Sequence, residues 1–171
     1  SRTGHTSWTL TEVAFTDGPY LSTNTTATTL TPASSGTGTG VNITASAITG
    51  INGGVGWLAT DVGRIISFNS GKAKITARTN TTVVVATITT AFTNTNATAA
   101  FQLGAFSDTT GHPSCVSFFE QRLVFAGTTD EPQTLYFSKS GDYENMTTGT
   151  NADDAMVYTI ASNQVNKIRY L

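Results

Sequence analysis

The sequence predicts an all-β fold, and three features of its 171 residues carry that prediction. Threonine makes up about a fifth of the chain, and its β-branched side chain favours strands while its hydroxyl keeps an exposed strand face hydrated. Charged residues account for only 12%, about half the share usual in soluble globular domains. Long stretches of the helix formers Leu, Glu and Lys are absent from the sequence. We therefore expect strands with polar faces around a core drawn from the 38% hydrophobic residues.

Short runs of alternating apolar residues predict the individual strands. The first run is Ser7–Phe15, which Asp17-Gly18-Pro19 ends as a turn. The middle of the chain contains six further candidates, namely Ala27–Leu30, Val41–Ala47, Arg64–Phe68, Ala73–Ala77, Thr82–Ile88 and Thr98–Leu103. Four more follow in the last third, namely Ser114–Phe119, Gln121–Ala126, Thr134–Ser138 and Met156–Ile160.

Glycine and asparagine clusters separate these runs and predict the turns between strands. The clear examples are Gly36-Thr-Gly-Thr-Gly40, Asn52-Gly-Gly54, Asn69-Ser-Gly71 and Asn94-Thr-Asn96. Asn69-Ser-Gly71 lies between two apolar runs and predicts a hairpin. Several short strands at close spacing favour a small barrel or sandwich.

A change in composition along the chain predicts two structural units. Residues 22–104 are rich in Thr, Asn, Ala and Gly, whereas aromatic residues return from Ala105 onward and also occur between Trp8 and Tyr20. We therefore predict a small β-barrel, residues 22–104, inserted into a β-platform or partial propeller formed by residues 1–21 plus 105–171. The ends of a small barrel's chain can lie close together, so such an insertion is geometrically simple. Residues Asn163–Leu171 begin another strand-like unit, and we expect the chain to be an excised piece of a longer one.

Charge and cysteine content limit the possible partners. The net charge is −2, and the nine basic residues are scattered, so the chain lacks the clustered Lys and Arg of a nucleic-acid binder. Only Lys72, Lys74 and Arg78 lie close together, and we interpret them as a solvated strand face rather than a phosphate contact. Cys115 is the only cysteine, which excludes an intrachain disulfide. We expect no membrane-spanning segment and no signal peptide, because no long apolar run is present.

The residue types of a hydrolase occur together once, at Asp108, His112 and Ser114. A catalytic triad requires its three side chains to converge in space, which close neighbours on one turn or strand rarely do. Ser114 also lacks the Gly-x-Ser-x-Gly elbow of the α/β-hydrolases. We therefore predict a turn leading into a strand, and a protein that is not an enzyme.

Metal and nucleotide motifs are equally incomplete. His5 and His112 are far apart, Cys115 has no partner cysteine, and Asp153-Asp154 is only a fragment of a calcium loop. The glycines at 36, 38 and 40 lack the spacing of a phosphate loop, and Ser70-Gly71-Lys72 lacks the first glycine of a Walker motif. We expect neither a metal nor a cofactor.

The most informative stretch of the chain lies between residues 111 and 146. Its motif is Gly111-His-Pro113, Phe119-Glu-Gln-Arg-Leu-Val-Phe-Ala-Gly-Thr128, Pro132-Gln-Thr134 and Ser138-Lys-Ser-Gly-Asp-Tyr143. This resembles the tail tubular protein B, or tail nozzle, family of short-tailed bacteriophages. Further pieces resemble that family in the expected order, namely Phe15–Tyr20, Asp61–Ile65, Leu103–Asp108 and Ile160–Ile168.

The resemblance implies a structural virion component and no catalytic residues. Six copies are expected to form a ring that continues the portal and adaptor toward the host envelope, with DNA passing through the lumen without sequence-specific binding. A weakly charged wall suits that task, since a basic one would hold the DNA. In similar proteins the middle barrel is likened to the first catalytic-cysteine half-domain of ubiquitin-activating enzymes. Residues 22–104 contain no cysteine, so this likeness concerns shape alone.

The motif residues are expected to have architectural roles. Arg122 would lie on the strand face opposite the core residues Leu123 and Phe125 and could pair with Asp142. Gly127 would end a strand, and Gly141 with Asp142 would form a turn.

The alternative function is a carbohydrate-binding or adhesin β-module on a virion or cell surface. Such a module needs aromatic side chains exposed on one face. The two tryptophans, Trp8 and Trp57, lie in apolar runs, which favours a place in the core.

Overall fold

The structure, a computed structural model, describes residues 15–161, 164 and 166–171. Its regular elements are β-strands and two single-turn 3₁₀ helices, Asn52–Gly54 and Ala59–Asp61, which confirms the all-β prediction. The strands are β1 Leu30–Pro32, β2 Gly38–Ala45, β3 Ile65–Phe68, β4 Gly71–Arg78, β5 Val83–Thr90, β6 Phe101–Leu103, β7 Cys115–Phe119, β8 Arg122–Ala126, β9 Thr134–Phe137 and β10 Met156–Thr159. The strand expected at Ser7–Phe15, together with His5 and Trp8, lies outside the described residues except for Phe15.

The first sheet contains six antiparallel strands in the order β1-β2-β5-β4-β3-β6. It curls so strongly that its two edges approach each other. Leu30 on β1 and Thr98, just before β6, exchange both backbone hydrogen bonds, at 2.9 and 3.1 Å. The curled sheet therefore has the form of a small half-barrel, as the short, closely spaced strands indicated.

One turn of this sheet agrees with the prediction from the sequence, and another differs from it. Asn69 and Ser70 adopt positive φ values of 46° and 57° and join β3 to β4, so the expected hairpin is confirmed. The glycine-rich run was expected to be a turn throughout, but Gly38 and Gly40 belong to β2. The pairing register with β5 shifts between Gly38 and Val41, and Gly40 has a φ of 72°, so these glycines form a β-bulge.

The concave face of the half-barrel holds the main hydrophobic core. Its inward-facing side chains come from alternate strand positions, as period-2 patterning requires. The most deeply buried include Leu30, Ile43, Ile51, Trp57, Ile66, Ile75 and Val84. Full burial of each aliphatic side chain contributes about 1.5–3 kcal/mol. Trp57 is completely buried, which confirms its expected place in the core.

The second sheet contains four antiparallel strands in the order β10-β9-β8-β7. Glu120 and Gln121, with φ values of 44° and 61°, form the two-residue turn between β7 and β8. Each strand pairs with its neighbour in sequence, so the unit is a meander. Phe106 packs edge-to-face against Phe125 and Tyr136 on one face of this sheet.

The predicted orientation of β8 was wrong. Arg122, Val124 and Ala126 are the buried residues, whereas Leu123 and Phe125 are only half-buried. Alternation along the strand is as expected, but the loop between β9 and β10 covers the Arg122 face and supplies backbone carbonyls to the guanidinium. The charge is thus accommodated inside the fold rather than in solvent.

The chain enters and leaves the first sheet side by side. Leu21 donates its backbone N–H to the carbonyl of Leu103, and Ala105 donates to Pro19, both at 2.8 Å. All six strands of the first sheet lie between residues 30 and 103, and those of the second lie between 115 and 159. The division into residues 22–104 and 1–21 plus 105–171 stays a prediction.

The last residues take a course that the sequence did not indicate. Residues 163 and 165 lie outside the described residues, and residues 166–171 contain no strand. Ile168 instead donates its backbone N–H to Pro132 at 2.9 Å, and its carbonyl lies 3.6 Å from the Cys115 thiol. This segment therefore crosses one end of the second sheet.

Candidate functional site

The structure does not join the three hydrolase-type residues. His112 Nε2 lies 3.1 Å from Asp108 Oδ1, and both side chains are well exposed. Ser114 Oγ donates to the carbonyl of Gly127 at 2.9 Å rather than to His112. A serine that donates to a backbone carbonyl, and not to the histidine, does not form the relay that acyl transfer requires.

The three clustered basic residues do not share one strand face. The register between β4 and β5 shifts between Ile75 and Ala77, which breaks the alternation before Arg78 is reached. Lys72 pairs with Asp17, Lys74 is exposed, and Arg78 Nε donates to the carbonyl of Trp57 at 2.7 Å. Lys72 and Lys74 line one cavity together, whereas Arg78 is not among its lining residues.

Asp153 and Asp154 belong to a loop held by a lysine. Lys139 Nζ lies 3.4 Å from Asp153 Oδ2 and 3.6 Å from Asp154 Oδ1. The backbone N–H of Asn151 donates to Asp154 at 3.0 Å and lowers the pKa of that carboxyl. Within residues 15–161, 164 and 166–171, no three His, Cys, Asp or Glu side chains are grouped so that they could hold a metal ion.

A buried carboxylate, Asp17, connects the two sheets. Its Oδ2 lies 2.6 Å from Lys72 Nζ on β4 and accepts a hydrogen bond from Thr147, which lies in the loop between β9 and β10. Its Oδ1 accepts from the Tyr20 hydroxyl at 2.7 Å and from the backbone of Gly18 at 2.9 Å. One side chain therefore holds three separate parts of the chain together.

The electrostatics of Asp17 follow from these contacts. Burial raises its pKa, but the hydrogen bonds from Lys72, Thr147 and Tyr20 and the charge of Lys72 outweigh burial, so the pKa lies below its usual 3.8. Burial and the neighbouring Asp17 raise the pKa of Tyr20, which stays a hydrogen-bond donor at neutral pH. The Asp17 carboxylate is thus ionised, and both of its oxygens accept hydrogen bonds.

A second buried charge, Arg64, lies at the start of β3. Its Nη1 donates to Asp61 Oδ1 at 3.0 Å and to Asn52 Oδ1 at 2.7 Å, and its Nε donates to the Gly104 carbonyl at 2.8 Å. Asp61 in turn accepts from the Leu58 N–H at 2.8 Å. Burial lowers the pKa of Arg64, and the nearby charges of Asp61 and Asp130 oppose that shift.

Arg64 is among the residues that line a cavity of about 380 Å³. Apolar side chains form part of its wall, and hydroxyls, two amides and a carboxylate contribute polar groups. The lining residues that matter here are Leu21, Leu58, Arg64, Phe101, Thr109 and Asp130. Arg64 is 1% exposed, and its Nη2 has no hydrogen-bond partner among the described residues.

The two outer strands of the second sheet form another candidate surface. The sequences of β7 and β10 contain no charged residue. Their exposed apolar side chains are Val116, Phe118 and Phe119 on β7 and Met156, Val157 and Tyr158 on β10. Edge strands of monomeric proteins usually carry charges or prolines that discourage pairing.

The sequence alone did not identify the Asp17 junction, the Arg64 cavity or the two sheet edges as candidate sites. The available signal was context: Asp17, Arg64 and Arg122 are charges in a chain that contains few, and Arg64 and Arg122 directly precede apolar strand residues. A charge at such a position is buried only when paired or hydrogen-bonded. The partners, however, come from distant parts of the sequence.

Comparison with family models and with curated proteins found no match to this chain. Among the described residues, no helix has the length and apolar character needed to cross a membrane.

Proposed function

We propose that this chain is a structural component of the tail of a short-tailed bacteriophage, assembled as a ring of identical subunits in the nozzle or tube. The observation that carries the proposal is the pair of uncharged, apolar edges on the four-stranded sheet. A protein with two such edges on opposite sides can bind a sister subunit at each. The motif between Gly111 and Met146 supports the choice of family.

The backbone of both edges is oriented for pairing. Phe119 and Arg122 flank the two-residue turn and therefore exchange hydrogen bonds, so by alternation the N–H and C=O groups of Val116 and Phe118 point away from β8. On β10, Ile160 donates to Gln133 at 3.1 Å, and the same alternation directs the backbone of Val157 outward. Within the described part of the chain, both edges thus present donors and acceptors that no further strand pairs.

The side chains of the two edges also match. Val116, Phe125, Tyr136 and Val157 lie in one row across the sheet, so all four are on the same face. If β10 of one subunit paired with β7 of the next, the row would continue across the junction and bury Val157 against Val116. Repetition of this head-to-tail contact closes into a ring when the rotation allows it.

The motif residues fit a structural role. Arg122 donates to the carbonyls of Ser138, Ala152 and Asp154, each at 2.7 Å. Gly127 and Gly141 adopt φ values of 75° and 74°, which favour glycine. Arg122, Gly127 and Gly141 each fix the path of the backbone, and none of them contacts a reactive group. The expected six-fold ring, the contacts with portal and adaptor, the passage of DNA and the location in the virion belong to the same proposal.

The test uses two variants with opposite defects. A lysine at either edge should block pairing, because the charge would be desolvated in the contact. The full-length protein carrying Phe118→Lys retains an intact β10 edge, and Val157→Lys retains an intact β7 edge. Each variant alone should be monomeric by mass photometry, whereas their mixture should form dimers and no rings.

The control is Val55→Lys, because the exposure of Val55, 57%, falls between those of Val157 and Phe118, and Val55 lies outside the second sheet. It should form the same rings as the unmodified protein, which electron microscopy should show. A monomeric unmodified full-length protein would contradict the proposal. Rings that persist in both edge variants would contradict this mode of contact.

The carbohydrate-binding alternative cannot use Trp57 as a stacking platform, because that side chain is fully buried.

A further inference from the structure

A second cavity, of about 600 Å³, lies between the first sheet and the two chain segments that lead into and out of it. Strands β3, β4 and β5 form one side, and residues from 15–20 and from 104–112 form the other. Small-ligand sites are common at such junctions between structural units, and the volume falls within their usual range. The cavity therefore has the place and the size of a binding site.

One wall of this cavity is apolar and largely aromatic. Phe15 and Phe106 both line it, and each packs edge-to-face against Phe125 with ring centroids 5.8 Å apart. The shared contact holds both rings in place before any ligand arrives. Pro19 and Ile65 add aliphatic surface. Phe15 is still 36% exposed, so the apolar part of a ligand would remove hydrophobic surface from water here.

The charged groups of the cavity leave one positive charge uncompensated. Asp17 and Lys72 both line it and neutralise each other as an ion pair. His112 is bound by Asp108, an exposed residue that is not among the lining residues. Lys74 also lines the cavity and is exposed, and no carboxylate in the described part of the chain pairs with it. Its ammonium group is therefore available to an anion from solution.

The register of the first sheet places this charge beside the apolar wall. Lys74 lies directly opposite Ile65 in the pairing of β3 with β4, so both side chains leave the sheet on the same face. A ligand with one negative charge and an apolar body can contact both, whereas a cation is repelled and a small inorganic anion gains only the charge contact. We propose that this cavity binds a small aromatic carboxylate, with its carboxylate at the Lys74 ammonium and its ring against Phe15 and Phe106.

The experiment is a titration at constant ionic strength, followed by the amide chemical shifts of the uniformly ¹⁵N-labelled chain. The probe is phenylacetate, added to about 20 mM, a range that reports millimolar affinity. We expect saturable shifts of the amides of the lining residues Gly18, Gly63, Thr89 and Gly104. Phenylacetamide lacks the charge, acetate lacks the ring and phenethylamine has the opposite charge. Each of these three should bind at least about tenfold more weakly, which corresponds to the loss of one main contact.

Lys74→Gln tests the role of the ammonium without disturbing the core, because this side chain is exposed. The substitution should weaken phenylacetate binding about tenfold, since it removes a charge-assisted hydrogen bond, and should leave the binding of phenylacetamide unchanged. The matched control is Lys167→Gln. It makes the same change of net charge at an exposed lysine outside the cavity lining, and the affinity for phenylacetate should stay the same.

Three outcomes would overturn the proposal. The first is the absence of saturable shifts at the lining amides with phenylacetate. The second is binding of phenylacetamide, acetate or phenethylamine as tight as that of phenylacetate. The third is an affinity that Lys74→Gln and Lys167→Gln change equally. The oligomeric state of the full-length protein does not enter any of these readouts, so they stand or fall independently of the ring.

Discussion

The carboxylate of Asp17 lies 2.6 Å from the ammonium group of Lys72, and this ion pair ties the segment before the first sheet to β4. The same carboxylate accepts a hydrogen bond from Thr147. Asp17 therefore links a strand of the first sheet to a loop of the second through one carboxylate. Its dependence on ionisation makes the junction sensitive to pH.

We expect acid to weaken this junction. The pKa of Asp17 is lower in the folded protein than its unfolded value of about 3.9, so its contribution is complete above that value and is lost as the pH falls through the folded pKa. Asp17→Asn should lower the free energy of unfolding by about 2–4 kcal/mol at pH 7. The difference between variant and unmodified protein should shrink in urea titrations at about pH 2.

The exposed pair Asp108–His112 provides the control for that experiment. Asp108→Asn should change the urea midpoint little, because an exposed ion pair contributes little to stability. A constant difference between Asp17→Asn and the unmodified protein from neutral to acid pH would contradict the role assigned to the Asp17 carboxylate.

Arg122 should tolerate no replacement. Its guanidinium joins β8 to three carbonyls in and beside the loop between β9 and β10, and a lysine cannot reproduce the planar arrangement of donors. We expect Arg122→Lys to lower the free energy of unfolding by about 3 kcal/mol, measured by chemical denaturation. Hydrogen exchange should show faster exchange in residues 139–155.

Arg78→Lys is the comparison for Arg122, because Arg78 is exposed and makes one side-chain hydrogen bond, to Trp57. It should be nearly neutral. If Arg122→Lys were equally mild, the carbonyl contacts would not be holding the loop.

Gly127 and Gly141 form a matched pair, because their φ values are 75° and 74° but their surroundings differ. A Cβ at Gly127 would collide with the carbonyl of Ile168 and the hydroxyl of Ser114, whereas one at Gly141 would meet nothing within 4 Å. Gly141→Ala should therefore lose only about 1–2 kcal/mol for the left-handed backbone. Gly127→Ala should lose distinctly more and displace the segment around Ile168.

Cys115 reports that displacement directly. Its thiol is half-buried and contacts the carbonyls of Ala126 and Ile168, at 3.4 and 3.6 Å. The rate of labelling by a thiol reagent should rise in Gly127→Ala and stay unchanged in Gly141→Ala. Equal labelling rates in the two variants would show that the segment is not held at Gly127.

Trp57 should be replaceable by phenylalanine at small cost. Its indole N–H is buried and has no partner among the described residues, so removal of that donor offsets part of the lost packing. We expect Trp57→Phe to lower stability by about 1 kcal/mol or less and Trp57→Ala by about 3–5 kcal/mol. Circular dichroism during denaturation measures both, and equal losses would mean that the N–H is bonded.

The strands were predictable where the alternation of side chains is local information. Half-buried and buried residues alternate strictly from Val83 to Ile88, and the expected strand at Thr82–Ile88 covers that stretch. Pro32 shows the limit of such rules. Proline normally argues against a strand, but β1 is an edge strand and does not need every donor. A short stretch of sequence does not show whether a strand lies at the edge or in the middle of a sheet.

The buried charges were not predictable in the same way. The partners of Arg122 lie 16 to 32 residues away, and the Thr147 that binds Asp17 lies 130 residues away. The predicted face of β8 was wrong for this reason, since a local pattern does not show which loop will return to cover a strand. Whether a charged side chain is buried depends on which loop covers its strand.

The close approach of the chain segments at Leu21 and Leu103 has a consequence for engineering. The bonds between Leu21 and Leu103 and between Pro19 and Ala105 bring the ends of the intervening segment within one hydrogen-bonded rung. A foreign module whose termini are equally close could be grafted at this point without lengthening the connection. The backbone on either side of the graft would keep its path. The segment between Leu21 and Leu103 could therefore be exchanged for a module of different size and binding properties.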